Sequence, residues 1–419
     1  MKVFKFGGAS IKDAEGIRNV GRILNLHKNT ELIVVVSAMG KTTNMLERLI
    51  DAYWNDQNIK TYFDDFKTCH KAIINDLKLT NSTLFHALFT DLEDKLNSNK
   101  SDNYNFEYDQ IICFGELLST TIISEYLKEN AFECEWLDAR KVVRTNKKWR
   151  EAKVNWETTA TNYAEKVTPL FESHKIVLTQ GFIGATENND TTTLGREGSD
   201  FTASIFAYVS NAESVTIWKD VPGMLNADPR IFNGTVLLKQ ISFKEAIELA
   251  YYGASVIHPK TIQPLKNKEI PLFIKSFIKP LDDGTMIQSS MIYDSKVPSF
   301  IFKSNQLLLS LTPRDFSFVV EDNLKDIFSI LADLNIRINL MQNSAVSFSF
   351  LVDNKYDLKE ILRLLSPDYL VKYNENVELL TIRHYNSQTV NRLASGKTIL
   401  IEQRSRQMAR LVLKPEAKA

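Results

Sequence analysis

Cysteine, histidine and any imbalance of charge are all scarce in this chain. Its three cysteines (Cys69, Cys113 and Cys134) cannot all pair and have no metal-ligand spacing. A disulfide scaffold and a zinc site are therefore excluded, and a reducing, cytoplasmic setting is expected. The six histidines are scattered and suggest no metal site. Lysine plus arginine and aspartate plus glutamate each number 51, so no net field draws the chain to nucleic acid or to an anionic membrane. No stretch of about 18 uncharged apolar residues occurs. The strand pattern begins at the N-terminus itself, so neither a membrane span nor a signal peptide is expected. A P-loop is missing too. Gly40-Lys41-Thr42 resembles the tail of one, but Val35 stands where that motif needs its first glycine.

What is present is the composition of a globular protein, 44% hydrophobic and 24% charged. At 419 residues the chain is too long for one ordinary core, so two or three domains are expected. The first two-thirds alternates apolar strands with helical segments. Leu32-Ile-Val-Val-Val36 and Ile176-Val-Leu178 are continuous apolar runs, as strands buried on both faces of a parallel sheet should be. Ser214–Trp218 is a further strand. Between about 45 and 110, Leu46, Leu49 and Ile50, then Leu84, Leu88 and Leu92, predict a helical insertion. It either covers a site or packs on the sheet edge. Phe277–Pro280 and Asp282–Thr285 end the αβ pattern, and Lys296–Ser299 reads as a linker. Beyond it a strand, a helix through Leu324, Ile327, Phe328 and Leu331, two strands, and a helix through Leu358, Ile361, Leu362 and Leu365 form one small α+β module. Strands at 377–382, 399–401 and 411–413, with a helix at 390–393, form a second.

The chemistry starts at residue 3. The strand Val3-Phe4-Lys5-Phe6 runs into Gly7-Gly8-Ala9-Ser10. Paired glycines let backbone N–H groups approach an anion such as a phosphate closely, and the lysine adds a point charge. Further motifs follow in order: Ser37-Ala-Met-Gly-Lys-Thr-Thr-Asn44, Phe114-Gly-Glu-Leu117, Gly195-Arg-Glu-Gly-Ser-Asp-Phe-Thr-Ala203, Trp218 to Arg230, and Tyr252-Gly-Ala-Ser-Val-Ile-His-Pro259. In order and spacing the six resemble the aspartate kinases of the amino-acid kinase superfamily, over nearly the whole chain.

That resemblance implies an α/β fold: a three-layer amino-acid-kinase domain (1–295) with a mainly parallel sheet. It is followed by a regulatory region (300–419) of two ferredoxin-like ACT modules, about 303–368 and 369–419. It implies ATP-dependent phosphorylation of the L-aspartate side chain, with Mg²⁺ carried by the nucleotide and no metal ligand assigned to the protein. Lys5 and Asp200 are the implied catalytic pair. Lys5, Gly7, Gly8, Ser10, Gly40, Lys219, Asp220, Leu225, Arg230, Ser255 and Val256 are implied at the nucleotide. Ser37, Thr43, Glu116, Arg196, Ser199 and Asp200 are implied at the amino acid, with Arg196 on its α-carboxylate and Glu116 on its α-amino group. The carboxylate acceptor is already ionised near neutral pH, which fits the lack of an obvious general base. His258 reads as structural.

Three positions depart from the family pattern: Ala9 for threonine, Glu197 for glycine and Ser255 for lysine, the last with Lys260 nearby as a substitute. A catalytically weak or inactive amino-acid sensor on the same fold is the alternative, opposed by Lys5, Glu116, Arg196 and Asp200 occurring together. The resemblance further implies a monofunctional form, and a homodimer joined through 300–419. An effector, lysine or threonine, is expected at Asn339, Gln342, Asn343 and Ser344; a polar turn or a purely dimerising module is the other reading.

Overall fold

Leu32-Ile-Val-Val-Val36 has no polar face to offer water, so it can sit only in a sheet covered on both sides. The computed structural model, which describes residues 1–79, 83–254 and 257–415, places it there, every residue buried. The described residues divide into two units. The first takes 1–224 and 237–247 with the described part of 256–291. The second takes 225–236 and the described parts of 248–255 and 292–419.

The strands of the first unit are β1 (Lys2–Phe6), β2 (Leu32–Val36), β3 (Cys134–Leu137), β4 (Ile176–Gln180), β5 (Ile183–Ala185), β6 (Thr191–Thr193), β7 (Val215–Lys219), β8 (Gln240–Ser242), β9 (Leu272–Ser276) and β10 (Thr285–Gln288). Eight of them form one sheet in the order β3-β4-β2-β1-β7-β9-β10-β8, while β5 and β6 make a separate hairpin. All pairs in the large sheet are parallel except β9 with β10. The αβ pattern therefore does not end at 277–285. Met286 and Ile287 add a last strand, and its shortness hid it from the sequence reading.

Among the described residues its α-helices are α1 (Ala14–Asn25), α2 (Thr42–Trp54), α3 (Lys60–Asp76), α4 (Leu84–Asn97), α5 (Tyr104–Ile112), α6 (Phe114–Glu129), α7 (Trp156–Lys166), α8 (Gly198–Ser210), α9 (Phe243–Tyr252), whose end groups with the second unit, and α10 (Pro259–Asn267). Strand alternation sends Phe4 and Phe6 of β1 into a core with α1 and the insertion, and Lys5 toward α8 on the other face. The insertion α2–α5 packs into that same core. Its α4 buries Phe85, Phe89, Leu92 and Leu96, one position off the expected stripe, and leaves Leu84 half exposed. The bulkier aromatic rings take the interior. Asp13 caps α1 by accepting from the Gly16 N–H at 2.8 Å.

The second unit is a six-stranded antiparallel sheet, order β12-β13-β11-β14-β16-β15. Its elements are β11 (Ser299–Pro313), α11 (Glu321–Asp333), β12 (Ile338–Asn343), β13 (Phe348–Asp353), α12 (Leu358–Leu365), β14 (Tyr369–Arg383), α13 (Ser387–Ala394), β15 (Lys397–Arg404) and β16 (Met408–Pro415). The two ACT-like βαββ repeats share one continuous sheet, because the long first strands β11 and β14 pair with each other along 299–313. Leu307, Leu309 and Leu311 pack with Ile327 and Leu331 of α11 and Ile361 and Leu365 of α12.

The turns after β1 and β2 interlock. Gly40, at φ 52°, donates its N–H to the Gly8 carbonyl at 2.9 Å. A Cβ at Gly8 would lie only 2.5 Å from the Ala38 carbonyl oxygen. Gly8→Ala must push these two backbones apart, at a cost of about 1–3 kcal/mol. A melting temperature lowered by several degrees, read by thermal denaturation, is the expected outcome, with activity falling alongside it.

Candidate active site

In an open α/β sheet, ligands lie outside the carboxyl ends of the strands, where neighbouring connections diverge. Here a cleft of about 900 Å³ opens at the ends of β1, β2, β4 and β7 and meets the first turns of α2, α6 and α8. Lys5 and Lys219 reach its floor from the adjacent strands β1 and β7. Asp200 comes from the first turn of α8, which packs over β1, β2 and β7. The Lys5 Nζ lies 2.6 Å from Asp200 Oδ1, an ion pair lacking hydrogen-bond alignment, and the Lys219 Nζ lies 3.5 Å from Oδ2. Burial works against the Asp200 charge, but Lys5 and then Lys219 outweigh it and hold the carboxyl below its usual range.

Glu116 is the opposite case. It stands in the first turn of α6, 4% exposed, and its Oε1 accepts only a long 3.4 Å bond from the Ala38 N–H. Its Oε2 is buried with no hydrogen-bond partner among the described residues. Burial without a cation pushes the carboxyl up to about 8. Arg196, exposed at the mouth, forms no ion pair among the described residues. Its loop is shaped by Gly195 at φ 77° and Glu197 at φ 54°. That left-handed conformation is the physical reason a glycine suits position 197.

Lys5, Gly8, Ser37, Gly40, Thr43 and Glu116 thus meet in one cleft, together with Arg196, Ser199, Asp200 and Lys219. Gly7 adjoins Lys5; a Cβ there would sit 3.4 Å from the Nζ. Ser10 is buried behind the turn, its N–H on the Gly7 carbonyl at 3.0 Å. The Gly40 N–H is committed to Gly8, so it offers no donor to a phosphate; what it gives the loop is shape. Asp220 is exposed just past Lys219. Lys219 turns to Asp200, whereas Leu225 and Arg230 belong to the second unit, where Arg230 forks onto Asp228 at 2.7 to 3.2 Å. Ser255 and Val256 lie outside the described residues. Lys260 does not substitute for a lysine at 255. Its Nζ donates to the Leu194 carbonyl at 2.8 Å and lies over the Phe201 ring at 4.6 Å. His258 caps α10 by accepting the Lys260 N–H at 3.1 Å.

The structure also adds cleft residues that no motif announced. Glu47 and Tyr108 of the insertion line it, joined by a 2.9 Å hydrogen bond from the Tyr108 hydroxyl. Arg150 and Phe182 line it from loops. In the insertion, α2 and α5 face the cleft while α3 and α4 fill the core. The four expected effector residues part company in their bonding. The Asn339 side chain donates to Gln306 at 2.7 Å and Asp353 at 2.9 Å and accepts from Lys303 at 2.9 Å. Gln342, Asn343 and Ser344 are exposed, and the Ser344 hydroxyl closes a turn on Ser347 at 2.7 Å.

The "Amino acid kinase family" model matches residues 1–276. The lysine-sensitive aspartokinase 3 of Escherichia coli is 32% identical over 353 residues, covering 84% of this chain and 78% of the relative. The E. coli aspartokinase III structure in complex with lysine and aspartate superposes with a TM-score of 0.84 at 28% identity, covering 99% of this chain and 96% of that one. The form with aspartate and ADP gives 0.77 at the same identity and coverage. Against the bifunctional aspartokinase/homoserine dehydrogenase of Daucus carota the chain is 35% identical but spans only 32% of the relative. The chain belongs to the amino acid kinase family and, within it, to the aspartokinases. It is thus an aspartate kinase, a nucleotide-binding enzyme at the first step of aspartate-family amino-acid biosynthesis. No helix among the described residues is long and apolar enough to cross a membrane.

Removing one partner from a buried charge cluster strands the others. Asp200→Asn takes the carboxylate away from the buried Lys5 ammonium, at a cost of about 3–5 kcal/mol. Thermal denaturation should show a larger loss for Asp200→Asn than for Lys219→Met, which leaves the Lys5–Asp200 pair intact.

Proposed function

We propose that this cleft brings L-aspartate and ATP together so that a side-chain carboxylate oxygen bonds to the γ-phosphorus. The bond to the bridging oxygen breaks, and ADP leaves with the electron pair. Lys5 stabilises charge on the group in flight, and Asp200 holds that ammonium in place. Gly7, Gly8 and Ser10 shape the phosphate turn; Lys219 and Asp220 are assigned to the nucleotide. Mg²⁺ bound to the phosphates would offset their charge. Ser37, Thr43 and Ser199 line the amino-acid end, where Arg196 takes the α-carboxylate as a guanidinium fork.

The observation that carries this reading is Glu116, a buried carboxylate in a substrate-sized cleft with no cation to pair with among the described residues. The α-ammonium of an amino acid supplies that cation. With its proton held up to about pH 8, the empty enzyme must release a proton below that pH when the ammonium binds. In a coupled ADP-release assay, aspartate KM should therefore fall as pH rises from 7 toward 8, by up to about tenfold per unit, and then level off. Glu116→Gln should flatten that slope while raising KM. An absence of aspartate-dependent ADP release would refute the function, and a flat wild-type profile would remove Glu116 from the ammonium.

The ACT-like repeats read as an effector module and dimer contact. The E. coli relative is described as lysine-sensitive and was solved with lysine, which favours lysine over threonine here. Gln342, Asn343 and Ser344 are exposed for such a contact, with Asn339 beneath them. Phe316 and Phe318, 72% and 68% exposed, suit self-association of the unit. Lysine titration should inhibit at millimolar levels or below while threonine does not. If neither amino acid changes activity or melting temperature, the module is structural.

A further inference from the structure

Arg150 lines the cleft with a backbone conformation that residues other than glycine rarely take. Its φ is 66°, in the left-handed region, where a side chain crowds its own backbone. Its surroundings hold it there. The Arg150 N–H donates to Asp109 Oδ2 at 3.0 Å, and the Thr193 N–H donates to the same oxygen at 3.0 Å. The Thr193 hydroxyl takes the other Asp109 oxygen at 2.8 Å. The Ala152 N–H then donates to the Thr193 carbonyl at 2.9 Å. Finally, the Arg150 carbonyl backs onto Gly195, where a Cβ would come within 3.2 Å of it. The segment that carries Arg150 is thus fastened at both Thr193 and Gly195 to the segment that carries Arg196.

The side chain gains little from packing. Arg150 is exposed and forms no ion pair among the described residues; its guanidinium lies 4.2 Å from the centre of the Tyr108 ring. Tyr108 is itself fixed by its hydroxyl bond to Glu47. A guanidinium that lies on an aromatic ring in a binding cleft, on a left-handed backbone and without an ion pair among the described residues, is placed for a ligand that uses it. Two anions enter this cleft. The phosphates are assigned to Lys5 and Lys219, whereas Arg150 shares its anchoring with Arg196 and stands on the ring held by Glu47, whose charge would repel a triphosphate. One guanidinium fork occupies only half of the roughly four acceptor sites of a carboxylate. We propose that Arg150 is a second handle on the non-reacting α-carboxylate of the amino-acid substrate, gripping it together with Arg196. This rests on the aspartate kinase reading above and adds a specificity-determining residue to it.

The test uses Arg150→Gly, because glycine is at ease at φ 66° and the variant should melt at or above the wild-type temperature. Aspartate KM should rise about 10- to 100-fold, as loss of charge-assisted hydrogen bonds entails, while ATP KM stays within about twofold. Arg150→Lys, with charge but no fork, should fall between the two. Replacing aspartate by its α-amide should shrink the Arg150→Gly effect to about twofold or less. An aspartate KM left near wild type overturns the proposal, as does a loss that appears in ATP KM instead or persists in full with the α-amide. A wild-type chain inert toward aspartate would overturn the kinase reading and this proposal with it.

Discussion

The cleft depends on one carboxylate held between two ammonium groups. Lys5, Asp200 and Lys219 come from three separate segments, and burying any one charge alone would be prohibitive. Together they close only when β1 and β7 lie side by side, in the register that pairs Lys5 with Ile217 and Phe6 with Trp218, and α8 crosses above them. The cluster therefore reports on, and holds, the geometry of sheet and helix at once. It also places the Lys5 ammonium on the floor of the cleft, the sign of charge a transferring phosphoryl group requires.

Glu116 shows the complementary economy. An ionised carboxylate with one long hydrogen bond is costly, so the empty site keeps it protonated near neutral pH and offers no negative charge to repel the carboxylates of an incoming amino acid. Only a ligand with its own cation in reach can draw the proton off and recover the cost. A dicarboxylate without an amino group meets a neutral acid instead and gains no ion pair. Selectivity against such analogues then comes from an unmet need in the protein rather than from an added clash.

The sequence made much of this legible. Continuous apolar runs located β2 and β4, and the strand-to-glycine junction located Lys5 and the turn, because backbone sterics leave few other uses for Gly8. Helical spacing found α11 and α12. The failures have physical causes. A single sequence does not say whether a backbone donor is already spent, so the Gly40 N–H was misjudged. Nor does it say which charges pair within a loop: the Arg230 guanidinium is closed onto Asp228, two residues before it. Arg150 carries no local signal, since its left-handed φ is imposed by Asp109 and Gly195, both distant in sequence.

The departures from the family pattern can be weighed by what each position does. Position 197 begins α8 in the left-handed region, so glutamate there costs backbone strain, yet the helix and Asp200 behind it are correctly formed. Gly198 tolerates no side chain, because a Cβ would fall 2.6 Å from the Phe182 ring; the loop can give way at 197 but not one residue later. Ala9 is exposed at the cleft wall, where a missing hydroxyl leaves the packing undisturbed. Lys260 is the instructive one. It is near the motif in sequence, but its ammonium is what ties the Leu194 carbonyl, two residues ahead of Arg196, to α10. A lysine committed to holding the arginine loop cannot also serve the nucleotide, so whatever position 255 lacks is not restored from 260.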